Sequence, residues 1–208
     1  GRGQALDFSF QKGESNTRYS INFVEPALMG QNARFGLSMG RFQTDNENAL
    51  YDTTVSSFTP SLGFAVADNA NLNLRYHLSA EDLTDVDAAA SLVLQNEEAA
   101  GQLTTSALGY ALTYDNRSSG LNPDAGILLS LDQEFAGIGG DNNYLKTSAH
   151  ATAQTTVFDD RITLKATFEG GLLNYASGDS RVTDRYFMGS QVMRGFAPNG
   201  IGPRDPGG

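Results

Sequence analysis

Cysteine and tryptophan are both missing from these 208 residues. Without cysteine there can be no disulfide scaffold and no thiolate metal site. That absence leaves the redox compartment open, and an oxidising periplasm or cell surface is compatible with it. Positive charge is scarce: Lys and Arg total 14 against 24 Asp and Glu, for a net charge of −10. A nucleic-acid partner is therefore not expected, because a phosphate backbone has to be neutralised by cationic side chains. No apolar run approaches the ~20 residues of a membrane helix. The opening Gly1-Arg2-Gly3-Gln4 has no apolar signal-peptide core. A mean hydropathy of −0.32 does not exclude a membrane, since only alternate residues of a barrel strand meet lipid. Both ends read as cuts, so the chain is expected to be an internal fragment of a longer protein.

Alternation of period two recurs along the chain, and helical periodicity is not found. Leu6, Phe8 and Phe10 share one face of residues 5–12, as do Tyr19, Ile21 and Phe23 within 18–24. Phe35, Leu37 and Met39 do so within 34–42, and Leu72, Leu74, Tyr76 and Leu78 within 71–78. Leu108, Tyr110, Leu112 and Tyr114 line up in 106–115, and Ile162, Leu164, Ala166 and Phe168 in 162–169. Segments 49–66, with a bend expected at Pro60, 127–135 and 144–156 complete about nine strands. Bacterial single-chain barrels close with an even number. The expected fold is thus all-β: an antiparallel transmembrane β-barrel, incomplete, about nine strands of a larger one.

A soluble β-sandwich would alternate too. Two features favour the membrane. Several runs approach the ~9–11 residues that cross a bilayer at a tilt. The polar faces carry full charges mid-strand at Arg75, Asp132 and Lys165, which suits a watered lumen. Tyr19, Tyr114 and Phe168 are expected near strand ends as interfacial aromatics. Arg41 interrupts an apolar face where it can snorkel to headgroups. Residues 67–70 and 158–160 read as tight turns, while the connection 79–103 and everything after Leu173 are long. Strand parity puts both tight turns on one side and both long loops on the other.

Motifs of catalysis are not found. His77 and His150, the two histidines, fall on polar strand faces and read as lumen-lining. No Gly-x-Ser-x-Gly elbow occurs. The acidic set Glu81, Asp82, Asp85 and Asp87 reads as a solvated loop whose spacing does not match a calcium site. No metal, no cofactor and no enzymatic activity are expected.

Four phrases carry a family resemblance. They are Phe23-Val24-Glu25-Pro26, then Tyr114-Asp115-Asn116-Arg117 with Asn122-Pro123-Asp124-Ala125-Gly126, then Gly137-Ile138-Gly139-Gly140-Asp141, and finally Arg185-Tyr186-Phe187-Met188-Gly189 with Met193-Arg194-Gly195-Phe196 and Gly200-Ile201-Gly202-Pro203-Arg204-Asp205. Together they resemble the barrel of BamA-type outer-membrane assembly factors, from Gly1 to about Asp205. The resemblance implies a part of the C-terminal barrel that ends in a lumen loop at about 174–208, with the periplasmic POTRA repeats and terminal strands outside the chain. It implies that Met193, Arg194, Gly195 and Phe196 form the tip of that loop, supported by Arg185, Gly189, Gly202, Pro203, Arg204 and Asp205. A guanidinium buried there requires acidic partners. Ser190 and Met193 depart from the family's usual glycine and β-branched residue.

Functionally, the resemblance implies assembly and insertion of β-barrel proteins in the Gram-negative outer membrane. The implied partners are unfolded outer-membrane proteins, accessory lipoproteins (mainly through the POTRA repeats), and outer-membrane lipid and lipopolysaccharide. A two-partner or autotransporter-assembly translocator is the nearest alternative, and a passive porin a further one.

Overall fold

The structure, a computed structural model, describes residues 3–45, 51–117, 125–158, 161–177 and 180–186. They form one nine-stranded antiparallel sheet in sequence order, each strand paired with its chain neighbours. The strands are β1 (Ala5–Lys12), β2 (Asn16–Glu25), β3 (Ala33–Thr44), β4 (Asp52–Ala67), β5 (Ala70–Thr84), β6 (Leu103–Asp115), β7 (Gly126–Ala136), β8 (Tyr144–Val157) and β9 (Ile162–Tyr175). Every strand after β1 has ten residues or more, enough to cross a bilayer at a tilt. The sheet is not closed: β1 and β9 each have one neighbour.

Among the described residues no second layer packs on this sheet, which excludes the dry sandwich. The accessible surface is 13833 Å², whereas a compact protein of this mass exposes about 9,400 Å². Register assigns the two faces. Phe8 pairs with Ile21, Ile21 with Met39, Met39 with Phe58, and Phe58 with Leu78. Farther along, Leu74 pairs with Tyr110, Leu112 with Leu131, and Ala151 with Phe168. All these side chains share the outward face. Leu6, Phe8, Leu108, Leu129, Leu164, Phe168 and Leu172 stand exposed on it. An apolar surface this extensive is foreign to soluble monomers and normal for lipid contact. The inward face carries Arg18, Arg34, Arg75, His77, Asp132, Glu134, Lys146, His150, Lys165 and Glu169 by the same parity.

Three expectations need correction. A helix, α1 (Leu92–Ala100), lies within the long β5–β6 connection, where no helical period was visible. None of its residues is buried, so no apolar stripe was selected to announce it. Phe168 falls mid-strand because β9 continues to Tyr175. Pro60 does not bend β4 into two pieces; the strand runs through it, but Thr59 and Pro60 have no register partners in β5. Proline has no N–H to give to the ladder.

Two of the resemblance phrases form tight structures in their described residues, 114–117 with 125–127 and 137–141. Asp115 receives hydrogen bonds from Arg117 Nε at 2.9 Å and Nη2 at 2.8 Å, and Asn116 Oδ1 accepts from the Ile127 N–H at 2.7 Å. The 137–141 loop clasps β6: Asp141 Oδ2 accepts from the Thr104 N–H at 2.7 Å, and a Cβ on Gly140 would meet the Thr104 carbonyl oxygen at 2.7 Å. Gly137 takes φ 126° there, which only glycine adopts readily.

Candidate functional site

The site is the inward wall of β5–β9 near the ends that bear the long connections. Its first part is an ion triad. Arg75 donates from Nη1 to Asp132 Oδ2 at 2.6 Å, and from Nη2 to Asp132 Oδ1 at 2.8 Å and Glu134 Oε2 at 3.2 Å. Arg75 sits two strands from its partners and must cross β6 to reach them. The residue in its path is Gly109, paired with Arg75 on one side and Glu134 on the other. A Cβ on Gly109 would come within 2.8 Å of the guanidinium carbon. Glycine is therefore the saddle over which this ion pair is built.

Glu134 extends the network, since its Oε1 accepts from the Tyr144 hydroxyl at 2.9 Å. Tyr144 packs with Ala107 and Ala136 in the buried cluster and lies 5.4 Å, ring to ring, from Tyr175. Replacing Tyr144 by Phe should keep the packing and lose about 0.5–1.5 kcal/mol of stability, read from the urea midpoint of heat-modifiable migration in detergent.

The segment after β9 lies against this wall. Lys146 Nζ donates to the Asp184 carbonyl at 3.0 Å, and the Tyr175 hydroxyl donates to Asp184 Oδ2. Burial pushes the Asp184 carboxyl above its ordinary range, and the Tyr175 hydroxyl pulls it back. Tyr186 then lies across β9. A Cβ on Gly171 would sit 2.5 Å from the Tyr186 ring. The ring's hydroxyl donates to the Thr147 carbonyl at 2.9 Å and lies 2.6 Å from Ser148 Oγ. The Lys146 ammonium stands 5.1 Å from the ring centroid, in cation–π range. From the β5–β6 connection, α1 contributes Glu97, whose Oε1 accepts from the Val182 N–H at 2.7 Å.

Of the expected site residues, Arg185 is described. It is exposed and turns back on its own segment, donating to Ser180 Oγ at 2.9 Å and to the Ser180 carbonyl at 2.7 Å. Gly189, Met193, Arg194, Gly195, Phe196, Gly202, Pro203, Arg204 and Asp205 lie outside the described residues. Residues that sequence reasoning did not gather are Asp184 and Tyr186 with their wall partners Lys146, Gly171 and Tyr175. One signal was present: Gly170-Gly171 breaks the alternation inside β9, and glycine within a strand marks a close approach. His150 also has a carboxylate partner, Glu169 at 3.1 Å on the adjacent strand.

The chain matches the Omp85 superfamily domain over residues 1–208. It is 28% identical over 207 residues to the outer membrane protein assembly factor BamA of Neorickettsia risticii, covering 99% of this chain and 28% of that protein. It is 26% identical over 211 residues to the human sorting and assembly machinery component 50 homolog, covering 100% of this chain and 44% of that protein. The chain thus spans less than half the length of these curated relatives. In fold it is similar to BamA from Haemophilus ducreyi lacking POTRA domains 1–3, with a TM-score of 0.86 at 18% identity, covering 97% of this chain and 42% of that one.

Proposed function

Since this chain belongs to the Omp85 superfamily, we propose that the protein carrying it folds and inserts other β-barrel proteins into an outer membrane, with this segment as barrel wall and seat for the lumen loop. The observation that carries the reading is the docking of residues 181–186 on the inward wall, with Tyr186 in the notch left by Gly171. A loop fastened across the interior narrows the way for solutes, and an assembly barrel needs its wall braced while an edge is open. The names of its relatives, an assembly factor and sorting and assembly machinery components, point the same way.

The role needs no chemical step. An unfolded outer-membrane protein adds a strand to an open barrel edge, pairing backbone groups that would otherwise lie bare in hydrocarbon, where each costs several kcal/mol. The triad and the docked segment keep the rest of the wall in register meanwhile. Accessory lipoproteins and lipopolysaccharide are the further partners of this reading. Arg194 at the loop tip would meet inward carboxylates, as a buried guanidinium requires.

The test is reconstitution of the full-length protein in liposomes with a urea-unfolded barrel protein, followed by heat-modifiable migration of that substrate. Folding at least about tenfold faster than in empty liposomes is expected, a barrier lower by about 1.4 kcal/mol. Steady open-channel conductance with no acceleration of folding would assign a passive pore instead.

A further inference from the structure

A groove of about 760 Å³ opens on the outward face of β3–β7, lined by Phe35, Leu62, Leu74, Tyr76, Leu108 and Phe135 among others. Its floor lies where the β4–β5 ladder has no register partners at Thr59 and Pro60, and Pro60 itself lines it. The nearby polar atoms are already engaged with one another. The Tyr76 hydroxyl lies 2.8 Å from Ser106 Oγ. The Tyr110 hydroxyl donates to Gln133 Oε1 at 2.6 Å, and Gln133 Nε2 donates to Thr147 Oγ1 at 3.1 Å. Arg75 borders the floor with its side chain turned inward onto Asp132 and Glu134.

We infer that this groove seats one acyl chain of a membrane phospholipid, held as a defined site and not as passing solvent. Three observations choose that occupant. The groove is continuous with the lipid-facing surface of the sheet, so hydrocarbon is the medium that meets it. Its wall is apolar, and the hydroxyl and amide groups beside it are satisfied, so it offers a polar ligand nothing to pair with. A folding polypeptide strand would need free backbone partners, and the interior strands beneath the groove have theirs committed to their neighbours on either side of the Pro60 gap.

The experiment places a photo-crosslinker in the full-length protein in phosphatidylcholine vesicles. Leu108→p-benzoylphenylalanine probes the groove, and Leu129→p-benzoylphenylalanine probes an outward position on β7 away from its lining. Mass spectrometry should show a one-phospholipid adduct about fivefold more abundant at 108 than at 129, the ratio expected from ~1 kcal/mol of preference. Filling the groove with Leu74→Trp should bring the yield at 108 down to the value at 129. If that variant does not reach the heat-modifiable folded form, Leu62→Phe fills the same space with less added volume. Equal yields at 108 and 129 would show ordinary lipid contact and overturn the site, as would adducts formed chiefly with polypeptide. Assembly activity does not enter this readout, so its outcome is separate from that of the insertase reading.

Discussion

Replacing Gly171 by valine is expected to unseat Tyr186 and, on the proposed function, to slow barrel assembly by roughly five- to 150-fold. The size follows from overpacking. A Cβ at position 171 would already stand 2.5 Å from the aromatic ring, and valine adds two methyl groups to it. Forcing bulk into an occupied space costs about 1–3 kcal/mol, which shifts the seated population by that ratio. The unseated ring also forfeits its hydrogen bond to the Thr147 carbonyl and its place beneath Lys146. Substrate folding in proteoliposomes measures the rate, and protease cleavage within 176–186 measures seating. Tyr186→Ala should lose part of the activity alone and add little to Gly171→Val, because both remove one contact. A Gly171→Val protein that assembles substrate at the normal rate while its segment is readily cleaved would separate docking from function.

Arg75→Met is expected to destabilise the wall by about 2–4 kcal/mol, whereas Arg75→Met combined with Asp132→Leu and Glu134→Gln comes back close to the parent. The asymmetry is electrostatic. Removing the guanidinium leaves two carboxylates without their cation, a loss of ~3–5 kcal/mol for a fully buried pair. Asp132 retains 35% of its side-chain exposure, so water relieves part of that penalty. Removing all three charges takes the penalty away with the attraction. Urea midpoints of heat-modifiable migration in detergent report both variants. Equal losses for the single and triple variants would mean that packing, not charge, governs this part of the wall.

The strands and their faces were legible because one face meets lipid, and a period of two is hard to disguise when every second residue is Leu, Phe or Tyr. Their ends were less so. β5 continues through Ser79, Glu81 and Asp82 to Thr84, where polar residues occupy both faces and alternation carries no signal. The mid-strand charges Arg75 and Asp132 were visible as lumen-facing. Their partnership was not, because it depends on a register that steps across β6 at Gly109. The resemblance directed attention to the Arg194 tip, while the described contacts belong to the stretch just before it, at Asp184 and Tyr186. Gly170-Gly171 marks where something can approach the strand, but no spacing rule in one sequence names the side chain that does.

The wall is one polypeptide thick. Gly171 turns its missing side chain inward beneath the Tyr186 ring, and Leu172 beside it turns toward fatty tails. Genetic change can thus refurnish the aqueous chamber while leaving the greasy coat untouched, one codon away. The same thinness removes any cushion: a bulky residue pushed through from either surface is felt at once on the other.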